Sequence, residues 1–187
     1  EMIKRNNPFG VQIPECDTLE VSRMATYSAS LKEFSIQELL RVWSQYRVQS
    51  MKTLFKTLAI DITPYKEFMG KYDINIEENI VEPWFNINVQ NLCNDKEFTD
   101  KIQIELDRKR AELLQYFEEK KNIVNDDKPL FTVDIGWRGT IHDNLCYIFN
   151  NKTIGGYYLT LYDFYNVQPK NSYKISFIDD KNIRDNE

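Results

Sequence analysis

Apolar residues recur at three- and four-residue steps through Ile36, Leu39, Leu40, Trp43, Tyr46, Met51, Leu54, Phe55 and Leu58. That spacing puts them on one helical stripe, and it predicts a helix from Ser35 to about Ala59. Ser35-Ile-Gln-Glu38 reads as a capping box at its start. Thr63-Pro64 predicts a short helix with Thr63 at the cap, Pro64 in the first turn and Gly70 at its close. A second stripe, Phe98, Ile102, Leu106, Leu113, Leu114 and Phe117, predicts a long helix from a cap at Asp95 to about Lys121. Between these stretches, residues 71–94 hold five asparagines from Asn75 to Asn91, which favour turns. Pro83 to Val89 reads as either a helix entry or a short strand.

The pattern changes after Asn125 to Pro129, which read as a loop. Leu130 to Ile135 is a near-continuous apolar run, expected of a central strand buried on both faces. A helical pattern follows from Ile141 to about Phe149. Asn150 to Gly156 reads as a turn, and Tyr157 to Phe164 and Tyr173 to Asp179 read as strands. Near the start, Thr18 to Met24 alternates well enough to predict a first strand, followed by a loop or short helix in Tyr27 to Phe34. Residues 1–16 and the tail from Asp180 look irregular. Strand, helical stretch, strand, helix, strand is the grammar of an α/β protein. The expectation is a small, mainly parallel sheet with a long helical insertion, 31–121, between the first and second strands of a single domain spanning 1–187. Leu130 to Phe164 should form a right-handed parallel βαβ unit.

Composition narrows the function. Hydrophobic residues make up 42% of the 187 and aromatics 13%, which excludes a disordered tail. The net charge of −5 speaks against non-specific nucleic-acid binding. No apolar run approaches the roughly 20 residues of a membrane span, and Glu1 to Arg5 does not lead into a secretory signal. The three cysteines are far apart in sequence and there is one histidine, so no metal site of the histidine–cysteine type is expected. Widely spaced thiols point to a reducing compartment, the cytoplasm. The opening residues suggest a piece of a longer polypeptide.

Candidate chemistry concentrates between the strand at Leu130 and the helix at Ile141. Gly136 and Gly139 let the backbone approach a ligand, and the amides after Gly139 would start a helix, where an anion is favoured. Arg138 offers a planar charged fork suited to phosphate. Thr140 can cap the helix or bond a ligand, Trp137 can stack on a sugar or base, and Asp134 can orient a ligand hydroxyl, bind a metal or bond the turn's own amides. Each also has a plain structural use, in turning, capping, pairing or packing. Arg23, beside Ser22 at the end of the first expected strand, would share a rim with Asp134 and Arg138. Asp134 and His142 are the candidates for acid–base chemistry, with a surface or capping role as the alternative for His142. The spacing is neither a dinucleotide-binding glycine motif nor a P-loop.

"VDIGWRGTIHDNL" followed by "GGYYLTLYDF", with "EVSRMATYSASL" upstream, resembles the C-terminal part of bacterial predicted hydrolases of the haloacid-dehalogenase type. Those proteins occur in capsule and O-antigen clusters, beside or fused to glycosyltransferases, and the resemblance covers Leu19 to Phe164. It implies a role in surface-polysaccharide assembly, with a phosphorylated sugar or nucleotide-sugar as ligand and hydrolase or glycosyltransferase domains as partners. The phosphatase chemistry of such hydrolases needs a strand-end Asp-x-Asp, and Asp134 is followed by Ile-Gly. The resemblance therefore implies an accessory domain, either ligand-binding at Gly136 to Thr140 or a non-catalytic scaffold. The residues identify no particular cofactor, and no metal site is expected.

Overall fold

A computed structural model describes Gly10, residues 16–120 and residues 128–183. The irregular segment expected before residue 16, most of the 125–129 loop, the end of the long helix at Lys121 and the last four residues lie outside that set. The molecule is an α/β protein in which a helical layer is followed by a small parallel sheet.

The expected first strand does not form. Ser22 turns the chain into α1 (Arg23–Ser30), its hydroxyl accepting from the Ala25 amide at 3.2 Å. A serine that can cap a helix overrides the weak alternation around it. Ser35 starts α2 (Ile36–Trp43) as expected and accepts from the Glu38 amide. The box is half-formed, however, because the Glu38 carboxylate accepts from the Lys32 amide and pairs with Arg41 at 2.6 Å.

The expected long helix to Ala59 is broken in two. After Trp43 the chain enters β1 (Val48–Gln49), and Ser50 caps a fresh helix, α3 (Met51–Thr57). The stripe continues across the break because both helices face one core. A 3-10 turn at Thr63–Tyr65, with Ile62 rather than Thr63 at its cap, leads into α4 (Lys66–Lys71). Gly70 lies inside α4, and Asp73 makes the left-handed exit. β2 (Ile80–Val81) pairs antiparallel with β1. Pro83 then opens a 3-10 turn, and Asn86 caps α5 (Ile87–Asn94). Asp95 caps α6 (Lys96–Glu119), its carboxylate accepting from the Glu97 and Phe98 amides.

Three strands complete the fold. β3 (Leu130–Trp137) and β4 (Ile154–Leu161) are parallel and joined through α7 (Thr140–Ile148); β5 (Ser172–Asp180) adds parallel to β4. β4 begins inside the stretch expected as a turn. The sheet order is β3-β4-β5, so β3 is an edge strand and not the expected central one.

Two buried cores share the long helix. Phe98, Ile102 and Leu106 of α6 join Trp43, Leu54 and Phe55 in the helical core. Leu113 and Phe117, two turns on, join Leu130, Leu145, Cys146 and Ile154 under the sheet. α1 packs on both α6 and α7, placing Tyr27 in the first core and Ala29 in the second. Where α1 meets α7, Asn144 donates to Thr26 at 3.1 Å. Among the described residues, no element packs on the opposite face of the sheet. Phe131, Val133 and Ile135 of β3 are exposed there, Val133 by 82% and Ile135 by 81%. So are Tyr157 and Leu159 of β4 and Tyr173, Ile175 and Phe177 of β5.

Candidate functional site

The Gly-Trp-Arg-Gly turn is shaped by close packing against β4. Gly136 has φ +141°, and a Cβ there would lie 2.2 Å from the Thr160 carbonyl oxygen. Gly139, at φ +67°, is the N-cap of α7, and a Cβ would meet the Tyr158 hydroxyl at 2.9 Å. Both positions therefore demand glycine. Trp137 also takes a left-handed backbone, at φ +88°, and its ring lies against Tyr162 with centroids 4.8 Å apart.

Arg138 is spoken for. Its Nε donates to the Asp163 carbonyl at 3.1 Å, Nη2 donates to the Tyr165 hydroxyl at 2.9 Å, and the guanidinium lies 4.1 Å from the Tyr165 ring centre. It pins the connection between β4 and β5. Asp134 sits within β3 and its carboxylate accepts from the Ile135 amide. Thr140 is the first residue of α7 and not its cap; its hydroxyl accepts from Gln45 at 3.2 Å.

His142 is buried, at 2% exposure, neither on the surface nor at a cap. Nδ1 meets the Thr132 hydroxyl at 3.3 Å, and Nε2 meets Ser172 at 2.8 Å. Burial pulls the imidazole down to about 4, aided by the nearby Lys174 charge. It is neutral at neutral pH and bonds the underside of the sheet.

The neighbouring charges escaped the sequence. Asp143 on α7 and Lys174 on β5 form a buried ion pair at 2.6 Å. Burial pushes the Asp143 carboxyl up to about 6, against the pull of Lys174 and Arg41. Burial also lowers the Lys174 ammonium, with Asp143 opposing. Lys174 donates further to the Arg138 carbonyl and to Gln168, which ties the turn to β5.

Arg23 does not meet Asp134 and Arg138 on a common rim. As the first residue of α1 it lines a cleft of about 350 Å³ with Met24 and Tyr27, facing Tyr46, Gln49 and Lys56. Among the described residues neither Arg23 nor Lys56 makes an ion pair. Gln49 is buried, and its Nε2 has no hydrogen-bond partner among the described residues. The Tyr27 hydroxyl is buried beside the Thr140 side chain, short of a well-formed hydrogen bond. Burial pushes that phenol up to about 12, with Arg23 opposing. The cleft and the start of α7 therefore meet at Tyr27. A buried donor without an acceptor is costly, and two unpaired cations beside it favour an anion.

Tyr27, Tyr46, Gln49 and Lys56 were missed because they come from α1, the loop after α2, β1 and α3. No local window joins them. Among the described residues no cluster of acidic, histidine or cysteine side chains is able to hold a metal ion, and no helix is long and apolar enough to cross a membrane. Cys93 and Cys146 are buried thiols. Comparison with known proteins finds no matching family model and no matching curated protein.

Proposed function

We propose that this α/β protein binds a phosphorylated sugar or nucleotide-sugar in the cleft between α1, β1 and α3, in the cytoplasm, as an accessory domain of surface-polysaccharide assembly working beside hydrolase or glycosyltransferase domains. The observation that carries the binding reading is that Arg23 and Lys56, which make no ion pair among the described residues, share one cleft with the buried Gln49 amide, whose Nε2 has no hydrogen-bond partner there. The guanidinium suits a phosphate. The amide suits a sugar hydroxyl, and the Tyr46 ring gives a ring-shaped ligand an apolar wall. The polysaccharide setting rests on the resemblance alone. The cleft suits the ligand better than the Gly136 to Thr140 turn because Arg138 is engaged, whereas Arg23 makes no ion pair among the described residues. Thr140 remains at the boundary, against Tyr27.

A scaffold role is the second reading, favoured by the bare apolar face of the sheet. A thermal-shift screen of sugar phosphates and nucleotide-sugars, with inorganic phosphate as the control, separates the two. A ligand at a hundredfold its Kd adds about 2.7 kcal/mol, a rise of roughly 5–10 °C for a chain of this size. Arg23→Ala and Lys56→Ala should abolish the rise and Arg138→Ala should keep it. The reverse pattern returns the ligand to the turn; no rise with any compound leaves the scaffold reading.

A further inference from the structure

We propose that the bare face of the three-stranded sheet is the interface of a two-fold homodimer, the occupant being a second copy of this chain. Parallel sheets are covered on both faces almost without exception, yet among the described residues only one face is covered, by α7 and the end of α6. The other carries eight exposed apolar side chains on three adjacent strands, with Phe177 at 89% and Val133 at 82% exposure. Taking an aromatic side chain at roughly 150–250 Å² and scaling by exposure, the patch offers on the order of 1,000 Å². The largest patch on a typical monomer is about 300–600 Å², and one side of a standard interface is about 800 Å². The face therefore has the area that one closed, two-partner contact needs.

Its chemistry suits a self-complementary contact. Strand alternation sends the charged residues Asp134 and Lys174 to the side facing α7, where Asp134 acts on Tyr158 and Lys174 meets Asp143. No acidic residue is then pressed against its copy at the centre, despite a net charge of −5 per chain. Phe131, Tyr157 and Tyr173 pack on one another near the strand starts, with centroids 6.2 to 6.5 Å apart. Ile135, Leu159 and Phe177 lie toward the strand ends. A two-fold axis between the stacked sheets, perpendicular to the strands, lays the aromatic end of each copy over the far end of the other. Such an axis closes the assembly at two.

Sedimentation equilibrium of the full chain over roughly a hundredfold dilution tests this. The expected result is a species of twice the 22.3 kDa chain mass that dissociates on dilution. Val133→Lys and Phe177→Lys, on different strands and each largely solvent-exposed, should each give the single-chain mass at every concentration with an unchanged circular-dichroism spectrum. A wild-type chain that is monomeric throughout overturns the proposal. So does a dimer that survives both substitutions, or an open-ended series of larger species. If one variant fails to fold, the other variant and the wild-type dilution still decide the question.

Discussion

The helical layer and the sheet layer close themselves differently. In the helical layer, Trp43, Leu54 and Phe98 are buried in one apolar core, which α1 links to α7 of the sheet layer. The sheet layer is apolar against α7 near the strand starts. Beside that apolar contact it is held by polar and charged groups: His142 between Thr132 and Ser172, and Lys174 on Asp143. Its other face has no cover among the described residues of the chain. A layer built on few strands with one crossover helix covers one side only, so its specificity comes from buried polar contacts, which are costly when half-made.

The sharpest way to break this contrast is Asp143→Asn. Lys174 would be left buried without its counter-charge, a loss of about 3–5 kcal/mol measurable by urea unfolding. A change near zero would mean the pair is exchanged freely for water. Leu54→Ala probes the opposite layer and should cost about 2–5 kcal/mol through the cavity it opens. If the loss is under 1 kcal/mol, the helical core is less closed than its contacts indicate.

The third test uses pH. His142 falls from 6.5 to about 4 on folding. Its contribution is thus fully present above 6.5 and lost as pH falls toward 4, about 3 kcal/mol in all. Asp143 rises from 3.8 to about 6, and its slope is opposite: stability falls as pH rises from about 4 to 6. The two nearly cancel in the wild type. His142→Asn should therefore expose a chain whose stability declines between pH 4 and 6, and parallel curves for the two proteins would show that His142 titrates normally. The smallest effect is expected on the bare face, where Val133→Thr in dilute protein should change stability by less than about 0.5 kcal/mol. A core-sized loss there would mean the face is covered within the monomer.

What the sequence made legible followed short-range rules. Ser35 and Asp95 cap helices because their oxygens reach amides two or three residues on, and the α6 stripe names its buried side. The parallel strand–helix–strand unit after Leu130 was also legible. The break at Ser44 to Ser50 was not, since a stripe stays in phase when two helices line one core. The run from Leu130 to Ile135 looked buried because hydrophobicity alone does not report how many faces have neighbours. For the candidate site, residue type drew attention to Arg23, but the surroundings expected for it, a rim with Asp134 and Arg138, do not form. The cleft joins α1 to the 46–57 stretch, across a helix and two turns of chain, and the partners that occupy Arg138 lie some 25 residues downstream.

Asp134 has a consequence of a different kind. β3 is an edge, and its amides at odd positions point away from β4, as the Leu130 amide bonding the Thr153 carbonyl fixes the phase. The Ile135 amide is one of these outward donors, and the Asp134 carboxylate has taken it. A charged group that occupies a free edge donor is a guard against ribbon growth, since an incoming strand finds a filled position and a negative charge. Asp134→Ala would reopen that position, and faster thioflavin-positive fibril formation on agitation would register its loss; unchanged kinetics would show that the edge is protected some other way.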